Sequence, residues 1–446
     1  MKNFFETLSN IWKIEELKGR ILVTLGLLLV YRFGAQVVLP GIDTAQLGGL
    51  SDATGQGILG VLNAFTGGAF ANASVFALGI MPYISASIVV QLMGIAIPYL
   101  QKLQKEGESG RKTINQITRW LTIGICIVQA PAYLYSLGAL GVPESAFLLG
   151  KGLNFIIPSV IILVSGCVFA MWLGEKITDK GIGNGISLLI MVGIIATMPQ
   201  SFAQEAVSRM DGNGGLMLIL VEIILWFIVI LACILLVMAT RQIPVQYARR
   251  TASGGYEKNI TGSRQYIPLK LNASGVMPII FAQAIMIAPS LLGRTFNDTA
   301  WGAWMEVQFA DMFGLAYNIL FGSLIIIFTY FYTAITVPTN KMADDLKRSG
   351  GFIPGVRPGK ETGDFLDKVM SLITLPGSIF LAFLAVLPAI IVKLIDIQAG
   401  WALFYGGTSL LIMVGVAIDT VQQVNSYLLN RHYDGLMKSG KNRKTA

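Results

Sequence analysis

Long charge-poor runs alternate with short polar segments from one end of this chain to the other. Runs with no charge, or only one, cover 21–42, 53–101, 120–143, 152–174, 181–204, 212–240, 271–293, 312–340, 369–392 and 397–430. A helix needs roughly 20 apolar residues to cross a hydrocarbon layer, and every run is long enough. The pattern predicts an all-α polytopic membrane protein with ten transmembrane helices.

Basic residues set the orientation. Of the 33 Lys and Arg, 28 fall at the termini and in alternate gaps. The opposite gaps hold only Lys151, Arg209, Arg294 and Lys393, and Arg32 lies inside the first run. Cytoplasmic segments carry the excess of Lys and Arg, so the chain is expected to be multi-pass with both termini cytoplasmic. The run 53–101 could hold two spans, but two would place the basic clusters on either side of it on opposite faces. One span plus a segment that enters and returns keeps both inside. Residues 54–73 carry Gly55, Gly57, Gly60, Gly67 and Gly68 and are expected to form a short broken helix, followed by a true span over about 74–98. Irregular backbone at membrane depth survives only when buried in protein or lining a water-filled cavity, which already suggests a pore.

Composition narrows the chemistry. The chain is 54% apolar, with a mean hydropathy of +0.65 and a net charge of +8. These values exclude an ordinary soluble globule, and the charge is mostly the cytoplasmic bias that anionic lipid favours. Cys126, Cys167 and Cys233 each sit in an apolar run, so no disulfide framework is indicated. The first 20 residues lack an apolar core and predict no cleavable signal. There, Phe4, Phe5, Leu8, Ile11, Trp12 and Leu17 alternate with Lys13, Glu15, Glu16 and Lys18, a pattern that suits a helix lying in the cytoplasmic interface. The single histidine, His432, falls in the basic tail 431–446. Histidine triads and zinc motifs are therefore absent, and no GxxxxGK[ST] phosphate loop occurs. No catalytic residue, metal site or cofactor is expected. Ionisable residues inside the runs are Arg32, Glu222 and Asp419. Such groups are functional candidates by default, but three isolated ones make a thin site for ion coupling.

Five stretches carry more specific information: Phe76-Ala-Leu-Gly-Ile-Met-Pro-Tyr-Ile-Ser-Ala-Ser-Ile-Val-Val-Gln91, Lys105-Glu-Gly-Glu-Ser-Gly-Arg-Lys112, Lys180-Gly-Ile-Gly-Asn-Gly-Ile-Ser187, Phe352-Ile-Pro-Gly-Val-Arg-Pro-Gly359 and Tyr405-Gly-Gly-Thr-Ser-Leu-Leu-Ile412. Together and in this order they resemble the bacterial SecY family, which supplies the large subunit of the Sec protein-conducting channel. The resemblance runs from about Glu16 to the C-terminal tail. It departs at Met238-Ala-Thr-Arg-Gln-Ile-Pro-Val-Gln-Tyr-Ala-Arg-Arg250, which lacks the acidic residue and extra basic residues expected before the Ile-Pro. The stretch Ser253–Lys258 looks lineage-specific.

The resemblance implies two inverted five-helix halves, 21–200 and 201–430, around a central pore. It implies a pore ring of Ile80, Ile84, Ile186, Ile190, Ile280 and Ile412. Spacing agrees independently, since Ile80/Ile84 and Ile186/Ile190 are i,i+4 pairs on one helix face. Branched aliphatics can dewet a narrow aperture and block ions while tolerating any passing sequence. The broken segment corresponds to a plug, with Asn63, Phe65, Thr66, Gly67 and Gly68, and Phe65 is expected to touch the ring. Glycine makes such a backbone easy to rearrange. A lateral gate toward lipid is implied between the spans near 74–98 and 117–137 and those at 271–293 and 313–337, with Ser85, Ser87, Gln91, Gln129, Asn272 and Gln283 as polar candidates.

Cytoplasmic loops about 241–270 and 338–367 form the implied docking surface for the SecA motor ATPase and the ribosome. Arg357, flanked by Pro354 and Pro358, leads there, with Arg249 and Arg250 behind it. Further implied partners are SecE- and SecG-type small subunits, signal-sequence-bearing polypeptides, membrane lipid, and SecDF- and YidC-type accessory proteins. The implied location is the bacterial cytoplasmic membrane. The competing class is a secondary transporter for a small solute, which would need a polar midplane site where this reading places isoleucine.

Overall fold

A computed structural model of the chain describes residues 14–47, 57–139, 142–148, 150, 152–211, 215–247, 264–295 and 299–442. Its first part is helical: α1 (Glu15–Gly34), α2 (Gly57–Thr66), α3 (Met81–Ala96), α4 (Pro98–Lys105), α5 (Glu108–Ala139), α6 (Leu153–Lys180), α7 (Gly185–Asp211) and α8 (Gly215–Met238). Strands β1 (Thr240–Tyr247) and β2 (Arg264–Lys270) follow. Next come α9 (Met277–Thr295), α10 (Ala300–Ala310), α11 (Leu315–Thr336), α12 (Thr339–Arg348) and β3 (Gly351–Phe352). The chain continues with α13 (Lys360–Ile395), α14 (Ala399–Ala402) and α15 (Gly407–Asn442).

Among the described residues, seven helices are long and apolar enough to cross a membrane, and the bent pair α3–α4 makes an eighth if counted as one span. Their outward faces are apolar. On α8, Met217, Leu220, Ile224, Phe227, Ile228, Leu231 and Leu235 are all exposed. An α-helix satisfies its own backbone hydrogen bonds, as hydrocarbon demands. The chain is a polytopic helical membrane protein.

Three elements differ from the sequence expectation. The first helix stops at Gly34, although the apolar run continues to 42. A β-carbon on Gly34 would lie 2.2 Å from the Phe76 ring, and the chain beyond turns extended, with Leu39 N–H donating to Ala73 O and Val75 N–H to Val37 O. The span expected from about 74 becomes helical only at Met81, because Ala73 and Gly79 adopt positive φ. That helix then bends by 102° into α4. Ile97 sits extended at φ −100°, ψ 116° before Pro98, the conformation that proline imposes on its predecessor.

The third difference corrects the all-α expectation. β1, β2 and β3 form an antiparallel sheet in the order β2-β1-β3. Thr240 pairs with Lys270 and Gln246 with Arg264, while Gln246 and Tyr247 pair with Phe352 and Gly351 on the other side. Ile243 and Val245 point inward with a period of two, as a half-buried strand requires. Pro244 is tolerated because β3 flanks only the end of β1, leaving that position on an edge.

Two compact units form, each with its own packing. One comprises Met1–Gly215, Gln398–Leu403 and Val416–Ala446; the other comprises Leu216–Ile397 and Phe404–Gly415. In the first, Leu39, Phe70, Tyr133, Leu137, Phe147 and Phe155 share a core. The Lys180–Ser187 loop is held there by side chains. Ile182 N–H donates to Thr24 Oγ1 at 3.0 Å, Gly183 N–H to Gln423 Oε1 at 2.9 Å and Gly185 N–H to Thr178 Oγ1 at 2.9 Å. In the second unit, Ile243, Val245, Leu269, Leu346, Ile353, Leu366 and Met370 form a core beneath the sheet.

Residues 15–20, expected to lie in an interfacial helix, form the start of α1 itself, capped by Ile14; residues 1–13 lie outside the described residues.

Candidate functional site

The six isoleucines share one structural position, the first two turns of a helix. Ile80 is the N-cap of α3 and Ile84 lies one turn on, its N–H donating to Ile80 O at 3.0 Å. Ile186 and Ile190 open α7, Ile280 opens α9, and Ile412 lies in the second turn of α15. Ile80, Ile190 and Ile412 are buried, whereas Ile84, Ile186 and Ile280 are half-buried.

Each of these helices starts at a left-handed glycine, a feature that sequence reasoning missed. Gly79 (φ 53°), Gly183 (φ 83°) and Gly275 (φ 64°) each stand two residues before the helix, and Gly407 (φ 61°) is its first residue. Only glycine adopts this conformation without a β-carbon penalty. On α7, Asn184 then caps the start, its Oδ1 accepting from the N–H groups of Ile186 and Ser187.

The plug candidates assemble around the end of α2. Gly67 (φ 67°) and Gly68 (φ 87°) terminate it, with Gly67 N–H donating to Ala64 O and Gly68 N–H to Asn63 O. The Asn63 side chain accepts from Ala71 N–H at 3.0 Å, and Thr66 Oγ1 accepts from Phe70 N–H at 3.2 Å. Tyr133 on α5 donates its hydroxyl to Phe70 O at 2.9 Å. Phe65 is buried.

Two close approaches fix where this end lies. A β-carbon on Gly79, the residue before Ile80, would be 3.0 Å from Thr66 Cγ2. A β-carbon on Gly193, one turn after Ile190, would be 2.8 Å from Phe65 O. The end of α2 thus abuts both isoleucine-bearing helices of its unit.

The gate candidates are less uniform. Gln91 donates to Ser87 within α3 at 3.3 Å, and Ser85 is half-buried on the same helix. Gln129 is exposed on α5. Asn272 is buried ahead of α9 and accepts from Ser274 Oγ at 3.1 Å. Gln283 on α9 accepts from Thr408 Oγ1 of α15 at 2.6 Å.

Arg357 projects from the turn between β3 and α13, its side chain 87% exposed and 3.7 Å from Glu361. Arg249 and Arg250 lie outside the described residues. Among the described residues no cluster of His, Cys, Asp or Glu is placed to hold a metal ion.

Sequence reasoning also missed two charged contacts. Arg32 donates to the carbonyl of Gly67. Glu205 and Arg209 form a buried ion pair on α7 at 2.8 Å, and Glu205 also accepts from Gln398 N–H at 2.9 Å. The i,i+4 spacing of Glu205 and Arg209 was visible, but the burial was not.

Apolar helices long enough to span a bilayer, several starting at a left-handed glycine with an isoleucine in the first turns, define a polytopic helical membrane protein. Residues 74–421 match the family profile described as SecY. The protein translocase subunit SecY of Streptomyces scabiei is 37% identical, over 96% of this chain and 98% of that protein. Among solved structures, one concerns a SecY protein whose plug domain stabilises the closed state of the translocation channel and maintains a membrane seal. It matches with a TM-score of 0.62 at 19% identity, over 92% of each chain. Sec61 in a canine ribosome–channel complex matches with a TM-score of 0.54 at 18% identity, also over 92% of each chain. This chain belongs to the SecY family, and its function is that of a protein-conducting channel. Family membership disfavours the small-solute transporter.

Proposed function

We propose that the chain passes unfolded polypeptide across the bacterial cytoplasmic membrane through a pore closed by Ile80, Ile84, Ile186, Ile190, Ile280 and Ile412, and sealed by α2 acting as a plug. The supporting observation is the seat of α2, whose last residues meet the turn that launches Ile80 and the helix face just past Ile190. An element with a glycine pair at its exit can swing away without breaking a helix, and a ring of aliphatic side chains imposes no sequence on its client.

In this reading ten spans form two inverted halves, both termini are cytoplasmic, and apolar segments leave sideways between α3/α5 and α9/α11. Ser85, Ser87, Gln91, Gln129, Asn272 and Gln283 line that exit. Of these, Gln283 bonds to another helix, through Thr408 of α15, and membrane interhelical bonds of this kind, about 0.6 kcal/mol on average, are weak enough for a signal segment to displace. Arg357 and the loops around it receive SecA and the ribosome, with Arg249 and Arg250 as further contacts. SecE- and SecG-type subunits, and SecDF- and YidC-type proteins, complete the assembly. A Sec61 relative is described in a ribosome–channel complex, which supports the ribosome as a partner.

The test is site-specific crosslinking. A stalled precursor should react with cysteines at the six ring positions and not with cysteines at lipid-facing Leu231 or Leu235. The reverse pattern would refute the assignment.

A further inference from the structure

An arginine inside an apolar run carries a desolvation cost and needs a reason to be there. Arg32 occupies the last turn of α1, between buried Tyr31 and exposed Phe33. Among the described residues it forms no ion pair; its guanidinium donates to the Gly67 carbonyl just beyond the end of α2. The last carbonyls of a helix lack intrahelical partners and carry the negative end of its dipole. A guanidinium suits that position in both charge and hydrogen bonding.

The surroundings leave this contact no slack. A β-carbon on Gly67 would lie 2.8 Å from Arg32 Nη1 and equally 2.8 Å from Gly193 Cα, in a backbone conformation (φ 67°) that already demands glycine. α1, the exit of α2, and α7 therefore meet at three residues: Arg32, Gly67 and Gly193.

We propose that Arg32 is a positioning residue that latches α2 in its closed seat and so sets the threshold at which a client opens the channel. The inference rests on reading α2 as the plug. Opening would break one charge-assisted bond and transfer the guanidinium to water or to the entering chain. A signal segment must offset that loss, so the latch filters clients by how strongly they engage. It requires no acidic partner.

The experiment uses the full channel complex in proteoliposomes, with the native cysteines replaced and a reporter, Ala64→Cys, on the buried face of α2. Labelling by an aqueous maleimide and client-free ion conductance are read together. Arg32→Gln should raise both by roughly tenfold or more, as expected for losing one hydrogen bond to a charged group, and Arg32→Lys should recover part of the seal. Gly67→Ala, which moves the carbonyl while leaving the arginine, should give the same phenotype and covers the case in which Arg32→Gln fails to accumulate. The Arg32→Gln/Gly67→Ala double variant should be no leakier than Gly67→Ala alone, because that substitution already breaks the Arg32 contact along with its approach to Gly193. Multiplying effects would overturn the latch, as would an unchanged seal in both single variants. Gly193→Leu, which pushes on Phe65 O, separates the two readings. If it opens the channel while Arg32→Gln does not, the latch falls and the plug stands. If neither opens it, the plug reading falls as well.

Discussion

The Thr408 hydroxyl donates to the Gln283 side-chain oxygen at 2.6 Å, joining α15 to α9. Gln283 lies three residues after Ile280 and Thr408 four residues before Ile412, so this bond ties together the first turns of the two helices that carry these proposed ring residues. Thr408→Val keeps the shape and removes the donor. Membrane interhelical bonds average about 0.6 kcal/mol, so the expected change is an increase of roughly threefold or less in export of a reporter with a weakened signal segment. No change at all would mean that the bond does not help hold these helices in register.

Glu205 and Arg209 are almost fully buried, with 2% and 7% of their side chains exposed. Glu205→Gln deprives a buried guanidinium of its carboxylate, a change that costs about 3–5 kcal/mol when one partner of a buried pair is removed. It should lower the thermal unfolding midpoint in detergent and reduce accumulation. The double variant Glu205→Met/Arg209→Leu is expected to be milder than Glu205→Gln alone, since the buried guanidinium is removed together with its carboxylate.

Ile412 is 1% exposed, and in the proposed pore it belongs to the closing ring. Ile412→Asn places an amide where no water is available, at about 1–3 kcal/mol if it goes unpaired. The closed state is destabilised, so ion conductance without client should rise about tenfold or more while Ile412→Val stays near the parent. Planar-bilayer recording checks this directly.

Val245 is fully buried beneath the sheet, and Arg357 is exposed at its rim. Val245→Asp should disrupt the sheet core and expose 240–247, 264–270 and 351–359 to limited proteolysis. Arg357→Glu should leave the proteolytic pattern and unfolding midpoint unchanged while abolishing binding of the motor ATPase. If both variants bind the motor normally, the docking assignment is wrong.

Several features could be read from the letters because they obey local rules. Charge-free length marked seven of the ten expected spans among the described residues, eight with the bent α3–α4 pair, and Gly67-Gly68 after Asn63 marked a helix end. What escaped notice depends on distant pairs. β3 is two residues long and meets β1 from more than a hundred residues away, so neither strand signals the other. The early end of α1 follows from the Phe76 ring pressed against Gly34, and Arg32 bonds a main-chain oxygen, which leaves no trace in residue identity. The left-handed glycines at Gly79, Gly183 and Gly407 lay inside the recognised motifs and Gly275 outside them, but their common conformation appears only in three dimensions.

The small sheet has a mechanical consequence. β1 continues directly from α8, β2 runs into the turn before α9, and β3 with its neighbours joins α12 to α13. Through its main-chain hydrogen bonds the sheet links the segment that leads to the Arg357 turn with the ends of α8, α9, α12 and α13, so one small patch of strand pairing joins four helix ends.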